Sequence, residues 1–442
     1  MKYLAISLMM LSISLFSCSN AEDEAPKPEP VVEEPKPEPE VEEPEVLAKE
    51  FFTVTIDPAY NLIGSQDNWV IATNPTGTLL DAKSFVLGDV VKLESTEVVD
   101  KFTLHFFRVD KMMSGAPFFN LVSYNEIAAT GSWKLVNPKG TVTVDDEVIG
   151  SLKISLLNYP VQPDIATFDN IKVSGLRGSL ISSMSSQGSS VEINVTLLKS
   201  TSELIVSFFK NQRSYYKRLS APFGGSVTLD AALDFNVVER DMVFNYMDSK
   251  YVWIGFYGFN AGDNPSYDGY ILSERKDMDG QVFGFFGSID GYDKYRTIIV
   301  YGQDNYTRTY YKFGEQMLGI PNFQTPFTSM YKTAITDFSC LVGMPNTSTS
   351  IYFHNPTTKD LYWEVVSPRS NVIPELNFAF KELPAALVTK YPSLNLSQII
   401  FKNGSAVQYM DDFTYQDYVS YKANVHDATK VNSNEYYAYD WE

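Results

Sequence analysis

The stretch Trp69-Val70-Ile71-Ala72-Thr73-Asn74-Pro75-Thr76-Gly77-Thr78-Leu79-Leu80-Asp81-Ala82-Lys83-Ser84-Phe85-Val86 decides the fold class. Two runs rich in β-branched and aromatic residues flank Asn-Pro-Thr-Gly, where Pro and Gly supply the backbone angles that a four-residue turn needs. The reading is a β-hairpin. Upstream, Phe51–Ile56 alternates, with Phe52, Val54 and Ile56 on one side and Phe51, Thr53 and Thr55 on the other. Downstream, Gly88-Asp89 turns the chain into Val90–Glu94, and Phe102–Val109 is a further strand. Ser132–Val136 and Thr141–Val144 flank a second turn of the same type, Asn137-Pro138-Lys139-Gly140.

Short strands every 8–12 residues or so predict an all-β chain built of sandwich modules, Ig-like or transthyretin-like. The first module is expected over 51–170. The first module ends between about 150 and 175, and a second, given as 171–240, follows with strands Gly150–Leu157, Ile171–Leu176, Val191–Lys199, Glu203–Phe209, Val227–Leu229 and Phe235–Val238. The pattern leaves open whether the two are one larger double sheet. From about Asp241 to the end at 442 the texture changes to glycines alternating with rings, as in Tyr251-Val252-Trp253-Ile254-Gly255-Phe256-Tyr257-Gly258-Phe259. Such alternation lets large rings lie against neighbouring backbone in an aromatic-rich β domain. At most two short helices are expected: one beginning near Pro384 and stopped by Pro392, and one over Asp412–Tyr421.

The N-terminus has another character. Met1-Lys2 and a short apolar run end in Leu15-Phe16-Ser17-Cys18. The apolar run is shorter than the about 20 residues that span a bilayer, and its layout is that of a signal peptide. Leu15-Phe16-Ser17-Cys18 resembles a bacterial lipobox, which implies removal of 1–17 and lipidation of Cys18, with acyl chains as the membrane anchor. Ser19-Asn20-Ala21-Glu22-Asp23-Glu24 resembles the short acidic export signal of Bacteroidota surface lipoproteins. That resemblance implies outer-membrane attachment facing the cell exterior, the alternative being a periplasmic face. Residues 18–50 continue as Pro/Glu/Val/Lys repeats. Proline removes donors and clustered Glu repels itself, so this reads as an extended stalk of about 3.1 Å per residue.

Of the formal net charge of −19, the segment 19–50 carries −9 and the body 51–442 carries −11, with +1 on Lys2. A mildly acidic body excludes nucleic acid as a partner, since its recognition rests on clustered Lys and Arg. Past Cys18 the chain has one thiol, Cys340, which reads as a core residue because it has no cysteine partner. Three histidines, His105, His354 and His426, lack metal-site spacing, and no Gly-x-Ser-x-Gly elbow is present.

Three chemistries remain. Asp277-Met278-Asp279-Gly280 resembles a fragment of a Ca²⁺ loop, with Asp290 as a further oxygen donor, but its twelfth position is Ser288 rather than Glu. A turn explains the same residues, and no other cofactor is indicated. Glycoside hydrolysis needs two carboxylates across a cleft, and Glu274, Asp277, Asp279, Glu315 and Glu364 are candidates. The segment Asn260–Tyr270, with Asp263, Asn264, Tyr267 and Tyr270, together with Trp253, Tyr292 and Arg296, has the ring-and-amide texture of a sugar-binding site. Its alternative is tyrosines that pack the core. The leading expectation is a surface binding module for glycan. An adhesion or structural protein meeting another surface protein is second, and a glycoside hydrolase third.

Overall fold

The computed structural model describes residues 47–442 except 63, 113–114, 137–145, 160–170, 211–212, 239–241, 244–250, 265–266, 278–284, 287–288, 290, 304–305, 318–327, 345, 369–374, 411–412 and 425–434. The fold is all-β with two short α-helices. The opening hairpin is present: Ser65–Thr73 pairs antiparallel with Leu79–Ser84. Asn74 closes its turn by accepting, at Oδ1, the backbone N–H of Thr76 and of Thr78, both at 3.0 Å. Gly77 takes φ +85°, and a Cβ there would lie 2.4 Å from the Ala379 carbonyl oxygen. Only glycine serves at this position, for both reasons.

That hairpin is one end of a sheet of fifteen strands among the described residues. Lys101–Lys111 and Pro117–Ala128 follow it by antiparallel pairing. Pro117–Ala128 then pairs in parallel with Leu361–Pro368, far along the chain. The sheet continues through Ser348–His354, Ile400–Tyr409, Tyr436–Trp441, Tyr306–Gly314, Lys294–Gln303 and Tyr251–Phe259 to Tyr270–Asp277. Strands from the expected first module and from the aromatic-rich region therefore share one hydrogen-bonded sheet.

Its central strands are covered on both faces, so they read as long apolar runs. In Lys101–Lys111, Phe102 and Leu104 point to one core, where Phe52, Val54 and Ile56 arrive from a three-stranded sheet of Val90–Ser95, Lys49–Ile56 and Ser132–Leu135. Phe107 and Val109 point to the opposite core, with Trp363, Phe338 and Phe380. Cys340 belongs to this second core and is 1% exposed; burial pushes its thiol up to about 12. Leu387, on the helix Ala385–Lys390, seals it. The helix Tyr415–Asn424 brings Tyr418 and Val419 to the first core.

A separate two-sheet sandwich fills the middle of the chain. Ile181–Gln187, Ser190–Leu198, Val148–Leu157 and Ser226–Asp230 form one layer; Ile171–Gly175, Glu203–Lys210 and Arg213–Ser220, with two short edge strands, form the other. Leu152, Ile154, Val173, Ile193, Val206 and Phe208 meet between them. Val148–Leu157 is a strand of this sandwich, pairing with Ser190–Leu198, as the grouping of Gly150–Leu157 with the later strands expects; a boundary drawn at 170 would cut the sandwich. The reason is local: Leu152, Ile154 and Leu156 are buried by partners beyond residue 170. The outer face of the Glu203–Lys210 layer carries Ile205 onto the aromatic-rich end of the large sheet, against Val252, Phe256 and Tyr270.

Candidate binding site

A fault in strand pairing builds a cavity. Lys101–Lys111 and Pro117–Ala128 run in register through Phe102↔Ile127, then resume at Leu104↔Tyr124. Asn125 and Glu126 therefore stand opposite the single residue Thr103. This is a β-bulge, a device that re-aims side chains. Glu126 takes φ +56°, a left-handed conformation costing a non-glycine residue on the order of 1 kcal/mol. The strained residue turns its carboxylate outward to Lys101, 2.7 Å away.

Asn125 turns inward instead. Its Oδ1 accepts from the Thr103 hydroxyl at 3.0 Å and its Nδ2 donates to Ser367 Oγ at 2.6 Å. All three side chains are buried. The Tyr415 hydroxyl clamps the bulge from the helix side, 2.9 Å from the Asn125 carbonyl and 3.1 Å from that of Val366. Phe102 lies beside this polar floor. The facing wall is the short strand Glu375–Phe378, which contributes Glu375, Asn377 and Phe378. Pro75, from the hairpin turn that Gly77 docks onto Ala379, closes the rim. Its volume is about 350 Å³, at the small end of the about 300–1,000 Å³ typical of small-molecule sites. The cavity holds amide, hydroxyl and carboxylate groups between two ring-bearing walls. That chemistry suits a small, hydroxyl-rich ligand.

Behind the Phe378 wall lies a buried polar chain. Trp363 Nε1 donates to Ser123 Oγ at 2.7 Å; Ser123 Oγ lies 2.7 Å from His105 Nδ1; His105 Nε2 lies 2.9 Å from Thr73 Oγ1. His105 is fully buried, and burial pushes its imidazole down to about 3, so it is neutral at physiological pH. Its ring meets Phe380 edge-on at 4.8 Å. This network supports the wall rather than exchanging protons with solvent.

The residues singled out in sequence occupy a different place. Tyr270 and Tyr292 are 2% and 7% exposed, with rings 5.5 Å apart inside the core that joins sandwich to sheet. The Tyr292 hydroxyl donates to Glu203 Oε1 at 2.9 Å, and the Arg218 guanidinium covers its ring at 4.6 Å. Both ring systems pack the core. Tyr267 is half-buried beneath Arg177, 3.8 Å above its ring. Arg296 lies over Phe259 at 4.9 Å and donates to the Asp268 carbonyl at 3.2 Å. Asp263 accepts the Asn260 N–H at 2.6 Å; burial and nearby Asp293 raise its carboxyl. The Asn264 carbonyl accepts the Tyr267 N–H at 3.0 Å. Trp253, on the opposite face, donates through Nε1 to Glu274 at 3.1 Å. The loop is stitched to the sandwich by Gly269 N–H to Leu176 O and by Ile271 N–H to Ser174 Oγ.

Of the other carboxylates, Glu364 accepts from Ser350 at 2.9 Å, and Glu315 is exposed. Asp277 ends the strand Tyr270–Asp277, while Asp279 and Asp290 lie outside the described residues, as do Cys18 and His426. Among the described residues no group of three or more His, Cys, Asp or Glu is placed to hold a metal ion. Sequence reasoning missed Asn125, Ser367, Glu375 and Asn377. One signal was available: apolar alternation breaks between Tyr124 and Ile127, where a polar pair interrupts a strand.

No family model matches this chain, and no curated protein does. Among solved structures, one similar chain is described as a Ca²⁺-stabilized adhesin that helps an Antarctic bacterium reach out and bind ice. The two are 8% identical, the match covers 83% of this chain and 96% of that one, and the TM-score is 0.12. A TM-score that low carries no argument about fold or function.

Proposed function

We propose that the chain is an outer-membrane lipoprotein, anchored through Cys18 and held on the cell exterior by its Pro/Glu stalk, and that it binds glycan in the bulge cavity. One observation carries the binding reading. Asn125, Thr103 and Ser367 are prepositioned on a buried floor between walls that contain Phe102 and Phe378. Prepositioned polar groups bond hydroxyls without further ordering cost, and ring edges exclude water around them.

The test is a glycan array with residues 18–442 carrying Cys18→Ser, followed by calorimetry on the hits. Asn377→Ala changes an exposed wall residue, so it should weaken binding without moving the melting temperature. Silence across a broad array removes the glycan reading and leaves the adhesion reading, in which the ligand is another surface protein. Release of reducing ends from a bound glycan, lost in Glu375→Gln, would instead mark a hydrolase. Incorporation of labelled palmitate, lost in Cys18→Ser of the full chain, tests the anchor; protease treatment of intact cells tests the outward face.

A further inference from the structure

Four strands along the sheet from Leu361–Pro368, which carries the floor residue Ser367, the strand Tyr306–Gly314 holds a buried cation that makes no ion pair among the described residues. Arg308 is 5% exposed, and among the described residues its Nε has no hydrogen-bond partner. Among the described residues its guanidinium faces rings instead: Tyr301 at 5.0 Å and Tyr306 at 5.5 Å. Tyr301 is its directly paired neighbour on one side, and Tyr439 on the other. Buried arginine is ordinarily paired, because an uncompensated charge loses its hydration without return.

A second orphan stands next to it. Trp441 is 5% exposed and its Nε1 is likewise without a partner. Trp441 pairs with Tyr306, and so shares a sheet face with Tyr306 and Arg308. It is the diagonal neighbour of Arg308, at the about 7–8 Å spacing that long side chains bridge. Its ring is held flat on the strand Ile400–Tyr409, where Gly404 leaves room; a Cβ at 404 would lie 2.3 Å from the indole. Both orphaned groups are N–H donors with nothing to accept. Two unmatched donors, one of them cationic, between tyrosine rings call for a ligand group that only accepts and carries negative charge.

We propose that Arg308 and Trp441 form an oxyanion site, for a carboxylate or sulfate group, framed by Tyr301 and Tyr306. Two sources share this chemistry: the acidic substituent of a glycan and a free anion. The site is separate from the bulge cavity and does not depend on a glycan binding there.

The experiment is thermal melting of residues 18–442 carrying Cys18→Ser, titrated with sodium sulfate, sodium glucuronate or a glucuronate oligosaccharide. Sodium chloride at matched ionic strength and a neutral oligosaccharide are the controls. The parent melts at progressively higher temperature with a saturable dependence on oxyanion, beyond the chloride control. Arg308→Met loses the saturable part and, without oxyanion, melts no lower than the parent, because it replaces a buried charge that makes no ion pair among the described residues with an apolar side chain. Arg308→Lys keeps a charge but loses the planar fork, and weakens the apparent affinity by about tenfold. Trp441→Phe weakens it as well. Saturation by sulfate and glucuronate alone identifies a free-anion site; a response confined to the acidic oligosaccharide identifies an acidic glycan. An equal response in parent and Arg308→Met overturns the proposal, as does no response beyond chloride. Should Arg308→Met fail to fold, an undiminished response in Arg308→Lys overturns it and a weakened one upholds it. Binding of a neutral glycan lost in Asn377→Ala but kept in Arg308→Met concerns the cavity alone, so the two proposals stand or fall separately.

Discussion

The tyrosine-rich seam around Tyr270 and Tyr292 and the bulge cavity around Asn125 are opposite cases. The first is dense in the residue types that binding sites use, and its rings are spent on joining a sandwich to a sheet. The second is assembled from residues that attract no notice in sequence, drawn from segments near 75, 101–103, 125–126, 367–368 and 375–379. Each buried ring removes roughly 150–250 Å² from water, so clustered tyrosines are more valuable as core than as surface. A cavity, by contrast, arises where regular pairing fails. Ring density in this chain marks packing, and a break in register marks the site.

Acid tests the cavity side of that contrast most severely. His105 is held neutral in the fold, about 3 against an ordinary 6.5, because it is buried. An unfolded chain therefore takes up its proton first. The associated stability is complete above pH 6.5 and is lost as pH falls toward 3, at up to about 1.4 kcal/mol per pH unit and on the order of 4–5 kcal/mol across the window. Urea unfolding between pH 7 and 4 should show a steeper loss in the parent than in His105→Gln. Equal slopes would mean that solvent reaches the imidazole and that no sealed network backs the cavity.

The tyrosine seam responds to the opposite extreme and to truncation. Tyr292→Ala should cost about 3–5 kcal/mol in denaturant unfolding, while ligand affinity, measured at a temperature where the variant is folded, stays at the parental value. Burial, with Glu203 beside it, raises the Tyr292 phenol, and burial raises Tyr310 likewise. Their contribution is complete below pH 10 and is lost as pH rises above it, when the unfolded chain ionises first. Denaturant unfolding between pH 9 and 11 should then lose stability more steeply in the parent than in Tyr292→Phe; equal slopes would break the comparison.

Smaller effects sharpen it. Asn125→Ala strands Thr103 and Ser367 on a buried floor, at about 1–3 kcal/mol, and should abolish glycan binding as read by calorimetry. Binding at parental strength would move the site elsewhere. Smallest is Tyr267→Ala, which removes one ring from beneath Arg177. A cation–ring contact at a partly exposed site is worth about 0.5–1 kcal/mol, so a small shift in melting with unchanged glycan affinity is expected. Lost affinity in this variant would restore the loop as the binding surface.

Much of the local structure was legible. The Asn74–Gly77 turn, the alternation of Phe52, Val54 and Ile56, and a helix between Pro384 and Pro392 follow from backbone chemistry that acts over a few residues. The glycine–ring alternation was legible too: a Cβ at Gly258 would lie 2.5 Å from the Tyr292 ring. The cavity was not, because Asn125 is an ordinary polar residue until the bulge turns it toward Ser367, 242 residues away. The grouping of Gly150–Leu157 with the later strands was legible, but a single boundary residue was not, since Leu152, Ile154 and Leu156 look the same whichever neighbour buries them.

By itself, then, the sequence determined strand content, turns and the face on which each strand is apolar, since these depend on side-chain alternation and on the φ preferences of Pro, Gly and Asn. Which strands lie side by side was decided only in the tertiary structure. The parallel pairing of Pro117–Ala128 with Leu361–Pro368 brings Asn125 to Ser367 on the cavity floor and carries one sheet across the chain. Backbone N–H and C=O groups are the same at every position, so alternation names a strand's buried face but not its neighbour. That choice is made by which long-range arrangement buries the most apolar surface while leaving the fewest polar groups unpaired.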